Sequence, residues 1–154
     1  MKVKECVLTI AMCFIASAVC FASNPQIGSW KLNEAKSKLA AGMPKNHTVV
    51  YEEAGDSVKV TIDGSSADGS PTHNEWTGKF DGKDYPVTGD PTSDTRSYKK
   101  VNDHTLTFAV KKGDKVTISG SIAVSADGKT RTVTTTNTDA QGKKSKSTGV
   151  YDKQ

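Results

Sequence analysis

The sequence predicts an all-β domain, an antiparallel up-and-down meander β-barrel of about 8–10 strands with one short helix after the first strand. Two observations predict it. Turn signals recur at short, even intervals: Gly55-Asp56, Asp68-Gly69, Asp81-Gly82, Gly89-Asp90, Asn102-Asp103, Gly113-Asp114, Asp127-Gly128 and Gln141-Gly142. Each supplies a residue that tolerates positive φ or caps a turn with its side chain. Between them lie runs rich in Val, Ile, Thr, Tyr and Phe, which suit a pleated surface. Several of these runs alternate. Val58, Val60 and Ile62 share a face, as do Leu106, Phe108 and Val110, and as do Val116, Ile118, Ile122 and Val124. Period two buries one face and wets the other, the pattern of antiparallel hairpins.

Taken in order, the strands are expected at 27–32, 47–54, 57–63, 72–80, 84–88, 95–101, 104–112, 115–125, 130–138 and 144–152. The one helical stretch falls between the first two. Asn33 is its N-cap, Glu34 to Ala41 are good helix formers, and Gly42 stands at the C′ position with Pro44 soon after. No linker, charge block or low-complexity tract divides the chain.

A leader precedes the domain. Lys2 and Lys4 form a short positive stretch before a charge-free apolar run of 13 residues, Val7–Val19, and Cys20-Phe21-Ala22 places small residues at the −3 and −1 positions before Ser23. That is the layout of a signal peptide. The run is shorter than the roughly 20 residues a membrane-spanning helix needs. The expected division is therefore 1–22 as signal peptide and 23–154 as a single barrel domain. Retention of Cys20 as a lipid attachment point is the alternative. The three cysteines, Cys6, Cys13 and Cys20, all lie in the leader. Processing thus excludes disulfides, thiol catalysis and thiolate metal sites from the domain. Loss of Lys2, Lys4 and Glu5 takes the net charge from +4 to +3, weakly basic and no argument for nucleic acid. Hydrophobic residues make up only 34% of the sequence. Such a lean core fills a small barrel or lines a modest cavity.

The domain opens Gln26-Ile27-Gly28-Ser29-Trp30-Lys31-Leu32. A Gly-x-Trp at the first strand, followed by a short helix and a meander, resembles the calycins, the lipocalins and fatty-acid-binding proteins. The resemblance implies a structural role for Gly28 and Trp30: the glycine permits close approach and the indole plugs one end of a barrel. Val150-Tyr151-Asp152-Lys153 is similar to the last strand of the fatty-acid-binding branch, and Asn33-Glu34-Ala35-Lys36-Ser37-Lys38 is similar to small lipocalin-like proteins exported by bacteria. The leader together with that resemblance implies an exported protein, periplasmic or extracellular in a bacterium. In the fatty-acid-binding branch an arginine two residues before the final-strand tyrosine helps hold the ligand carboxylate; here that position is Gly149. In lipocalins a basic residue packs across the motif tryptophan, and Arg131 or Lys146 can supply it.

Arg96 and Tyr98 lie two residues apart and share a face of their strand. If that face is inward, Arg96, Tyr98 and Arg131 anchor a polar head group while Trp76, Phe108 and Tyr151 touch an apolar tail. Otherwise Tyr98 is core and the arginines cover a barrel end or lie in solvent. The inward face of 72–80 and of 95–101 is open at this level. His73 and Glu75 also share a face, but two ligands make no metal site, and His47 and His104 lie in other segments. The stretches Asp63–Gly69 and Asp81–Asp84 do not have EF-hand spacing. No metal and no cofactor is expected. Lys99-Lys100, Lys111-Lys112 and Lys143-Lys144 stand at strand ends, where lysines keep edges from pairing. No Gly-x-Ser-x-Gly elbow and no histidine with an evident partner appears, so an enzyme is not expected. The function expected is an exported lipocalin-like protein that binds or carries a small apolar or amphipathic ligand. The alternative is a non-catalytic secreted or envelope interaction module, such as an inhibitor, with a filled barrel.

Overall fold

The computed structural model describes residues 24–154; the leader expected over 1–22 lies outside the described residues. Ten strands follow one another: β1 Gly28–Leu32, β2 Lys45–Ala54, β3 Ser57–Ser65, β4 Pro71–Gly78, β5 Tyr85–Thr88, β6 Thr95–Lys100, β7 Thr105–Lys112, β8 Lys115–Val124, β9 Thr130–Thr138 and β10 Lys144–Lys153. Each pairs antiparallel with the next, and β1 pairs with β10 from Trp30↔Lys153 to Leu32↔Tyr151, closing the sheet into a barrel. Every expected strand is present within two residues at each end.

The expected helix over 34–41 shrinks to one 3₁₀ turn, Glu34–Lys36. Asn33 does cap it, its side chain accepting the Lys36 N–H at 3.2 Å. The turn goes no further because the next residues bond elsewhere. Lys38 exchanges backbone hydrogen bonds with Thr148 of β10, and the Val150 N–H donates to the Ser37 hydroxyl. A segment this short cannot nucleate a helix against such competition.

Alternation places the core. Trp30, Val49, Tyr51, Val60, Ile62, Trp76, Tyr98, Leu106, Ile122, Val124 and Tyr151 form one buried cluster inside the barrel. The interior is sorted by side-chain type. On the β2–β6 side aromatic rings pack edge to face, Trp76 to Tyr98 at 4.8 Å and Tyr51 to Tyr98 at 6.3 Å, with Phe80 stacked on Trp76 at 6.4 Å. On the β7–β9 side the cross-strand row Leu106↔Ile122↔Val133 is aliphatic.

One residue of the expected inner face is turned out. Val110 pairs with Ile118, but the next pair is Lys111↔Val116, so Thr117 is an extra residue on β8. This β-bulge shifts the parity by one. Val116 consequently points to solvent, 41% exposed, while Val110 is 5% exposed.

The two ends differ. At one end the segment Asn24–Ile27 and Trp30 close the barrel. Trp30 is fully buried and its indole N–H donates to the Gln26 carbonyl at 2.9 Å. Gly28, at φ 126°, leaves room for the Lys153 side chain; a Cβ there would stand 2.8 Å from Lys153 Cε. The other end carries the turns after β3, β5, β7 and β9 and the connection from Ser37 to Pro44, and it is open. β5 is the shortest strand, at 4 residues. It has two register pairs with β4 and two with β6, and Pro86 within it brings no N–H.

Candidate functional site

A cavity of about 240 Å³ runs inward from the open end, below the roughly 300–1,000 Å³ usual for small-molecule sites. Its apolar wall is Val49 and Ile62 on one side and Phe108, Val110, Ile122 and Val133 on the other. Gly120, opposite Phe108 in the register, gives that ring its space: a Cβ at 120 would lie 2.9 Å from Phe108 Cε1 and 2.1 Å from the Thr134 carbonyl oxygen.

Two guanidinium groups face this cavity. Arg131 enters from β9 toward the closed end and is 3% exposed. Its Nη2 donates to the Tyr51 hydroxyl at 2.6 Å, and its Cζ lies 4.5 Å from the Tyr51 ring centre, 5.8 Å from that of Tyr151 and 5.9 Å from that of Trp30. Arg131 therefore packs across the motif tryptophan, joined from outside by Lys153 with Nζ 5.2 Å from the indole. Lys146 is exposed at the opposite end of β10 and takes no part. Arg96 enters from β6 near the open end and is 6% exposed. Its Nη2 donates to Asn74 Oδ1 at 3.2 Å, and its carbonyl accepts the Trp76 indole N–H at 2.8 Å.

Neither guanidinium lies within ion-pair distance of a carboxylate. None of the ion pairs among the described residues involves an arginine. Arg131 Nε and Nη1 and Arg96 Nη1 are buried without a hydrogen-bond partner. A buried charge left unpaired is costly. Asp90 on the rim feels the charge of Arg96. Burial works against its charge, but hydrogen bonds from the Ser93 and Thr92 hydroxyls and the Thr92 N–H, with the attraction of Arg96, hold its carboxyl below the usual range. Arg96 thus has an amide and a nearby carboxylate; Arg131 has a phenol and three aromatic rings.

Burial pushes the Tyr51 phenol far above its ordinary value despite Arg131. Burial raises Tyr151 in the same way, with Arg131 opposing. Both hydroxyls stay protonated, and that of Tyr151 donates to the Asn46 carbonyl at 3.1 Å. Tyr151 leans back over Gly149, where a Cβ would come 3.0 Å from its ring.

Of the residues singled out from sequence, Arg96, Tyr98, Phe108, Arg131 and Tyr151 line one cavity. Trp76 points inward but sits in the packed aromatic cluster and does not line it. The open question of facing is answered: Asn74, Trp76, Arg96 and Tyr98 are buried, whereas His73 and Lys99 are exposed. Tyr51 and Asn74 were missed. Tyr51 was legible, since it alternates with Val49; the Asn74 contact depends on pairing across strands. His73 lies on the outer surface, its Nδ1 2.6 Å from Asp63 and its Nε2 3.9 Å from Glu75. Among the described residues no group of three or more potential ligands is placed to hold a metal. No helix among them is long and apolar enough to cross a membrane.

No protein-family model and no curated protein matches the sequence. Solved structures do match, among them three at low identity. A redesigned β-barrel is 14% identical, with 90% of this chain and 99% of that one covered at a TM-score of 0.46. The structure of EF1p2_mFAP2b bound to DFHBI is 10% identical over 86% of this chain and 97% of that one, TM-score 0.48. A de novo designed fluorescence-activating β-barrel is 13% identical over 83% and 93%, TM-score 0.45.

Proposed function

We propose that this chain is an exported, non-enzymatic, calycin-like carrier whose barrel holds a small amphipathic ligand. The ligand places an anionic head against Arg131 and Tyr51, and its apolar part lies between Phe108, Ile122 and Val133 toward the mouth. The observation that carries the reading is the pair of buried guanidiniums lining one cavity with three nitrogens unpartnered. A carboxylate reaching Arg131 offsets the cost of that buried charge and accepts the idle N–H groups. Arg96 has Asn74 and Asp90, so one negative charge on the ligand suffices. The Gly28-Ser29-Trp30 opening and the resemblance of both chain ends to calycins support the same reading, and the Met1–Ala22 pattern supports export.

Titration calorimetry with a series of aliphatic and aromatic carboxylates, each beside the alcohol of equal length, tests it. Carboxylates are expected to bind about tenfold or more tightly than their alcohols. Equal binding of the two series overturns the anionic head. The small volume of the cavity favours the second reading, a filled barrel whose working surface lies in its loops. Absence of heat with every probe selects that one.

A further inference from the structure

The open end carries a surface feature that the cavity does not use. The β7–β8 and β9–β10 turns lie side by side, with the Lys115 ammonium donating to the Asp139 carbonyl at 3.5 Å. Lys115, Lys143, Lys144 and Lys146 are all exposed there. Among the described residues none of the four lies within ion-pair distance of a carboxylate. Lys45, Lys111 and Lys112 at the same end are held by Glu34, Asp84 and Asp94. Two acids share the patch. Asp114 is exposed, and Asp139 folds back into its own turn, accepting the N–H groups of Gln141 and Lys143. The cations prevail.

Within this cationic arc the β8 bulge sets Val116 outward, one of two large apolar side chains that the described residues expose. Beside β10 runs the Ser37–Pro44 connection, tied down where the Ala40 N–H donates to the Ser147 hydroxyl at 2.9 Å, and it brings the half-buried Leu39 and Met43. Two residues from Val116, Ile118 lines the cavity. The patch therefore abuts the mouth.

We propose that this rim docks the barrel, mouth down, on an anionic lipid surface. Lysines close to anionic headgroups gain electrostatic attraction that fades within a Debye length, and an apolar side chain among them adds contact with the acyl boundary. A nucleic acid fits less well, because base recognition uses exposed stacking rings. All eight aromatic residues of the described chain lie in the core or pack against it.

The test is sedimentation of the protein, purified as its host makes it, with vesicles of phosphatidylcholine alone and of equimolar phosphatidylcholine and phosphatidylglycerol. Binding is expected to the anionic vesicles only, weakening as salt rises. The double variant Lys143→Glu, Lys144→Glu should bind about tenfold or more weakly, and Val116→Ser several-fold. Both variants should melt like the parent and give unchanged carboxylate titrations, since none of these side chains lines the cavity. Equal binding to both vesicles, no binding to either, or no loss in the double variant overturns the docking surface and leaves the cavity reading untouched. Tighter binding to a duplex oligonucleotide than to the anionic vesicles overturns the lipid as partner.

Discussion

Each end of the barrel buries one arginine, and the two are surrounded in opposite ways. Arg96, by the mouth, has an amide oxygen on Nη2 and Asp90 close enough to feel its charge. Arg131, at the closed end, has one phenol and three rings. A ring face attracts a cation but does not accept the in-plane N–H bonds of Nε and Nη1, so the attraction is partial. The difference teaches that burial and electrostatic satisfaction are separate: at the closed end Trp30 is fully buried, while the Arg131 packed against it keeps two nitrogens without a partner. Packing there is complete around Trp30, and polarity is unfinished around Arg131. At the mouth the packing is open, and Arg96 is better provided, with only Nη1 left without a partner.

The sharpest way to break this comparison is to remove the plug. Trp30→Ala should destabilise the domain by about 3–5 kcal/mol, the usual cost of truncating a buried tryptophan, read from urea unfolding. A loss of under about 1 kcal/mol would mean the closed end is not well packed.

The next test separates charge from packing. Tyr51→Phe strips Arg131 of its only hydrogen-bond partner and should cost about 1–3 kcal/mol. Arg131→Met removes the buried charge altogether and should be neutral or stabilising by about 1–4 kcal/mol without ligand. The two substitutions touch the same spot and are expected to move stability in opposite directions. If both destabilise equally, the guanidinium is already satisfied and the closed end is ordinary. Arg131→Met should also abolish any preference for a carboxylate over its alcohol.

The smallest effect is at the mouth and depends on pH. The folded-state carboxyl of Asp90 sits below its ordinary value. Its contribution is therefore complete above the unfolded carboxylate range and is lost as pH falls through the lowered folded value. Stability followed by urea titration from pH 6 downward should decline through that acid window about as ordinary carboxylates do, and part of the decline should vanish in Asp90→Asn. An unchanged profile in that variant would remove Asp90 as the counterweight of Arg96.

Much of this molecule was legible because a barrel interior has one inside. Wherever Val60, Leu106 or Ile122 points in, parity fixes the facing of every other residue on that strand until something breaks the count. At Thr117 the count breaks, and Val116, read as interior, lies outside; a bulge leaves no mark in a period-two pattern. The run Glu34 to Ala41 failed for another reason. Its helix propensity is real, but Lys38 and Ser37 bond to β10, and local preference yields to a strand already in place. In the site, Arg96 and Tyr98 could be paired from spacing alone, and Arg131 follows from its alternation with Val133. Depth could not be read. Trp76 has the right facing and the wrong neighbourhood, because which rings gather into a packed cluster and which border a void depends on contacts between strands far apart in sequence.

Closure around ten strands makes the hydrogen-bonded cylinder only as tight as its narrowest stave. β5 is held by two register pairs on each side and includes Pro86, while β9 is held by nine pairs to β10. Thermal breathing of the wall will begin at β5. For a moment the tube is then a rolled sheet with a slit beside Tyr85 and Val87, and solvent reaches the aromatic cluster through the flank as well as through the mouth.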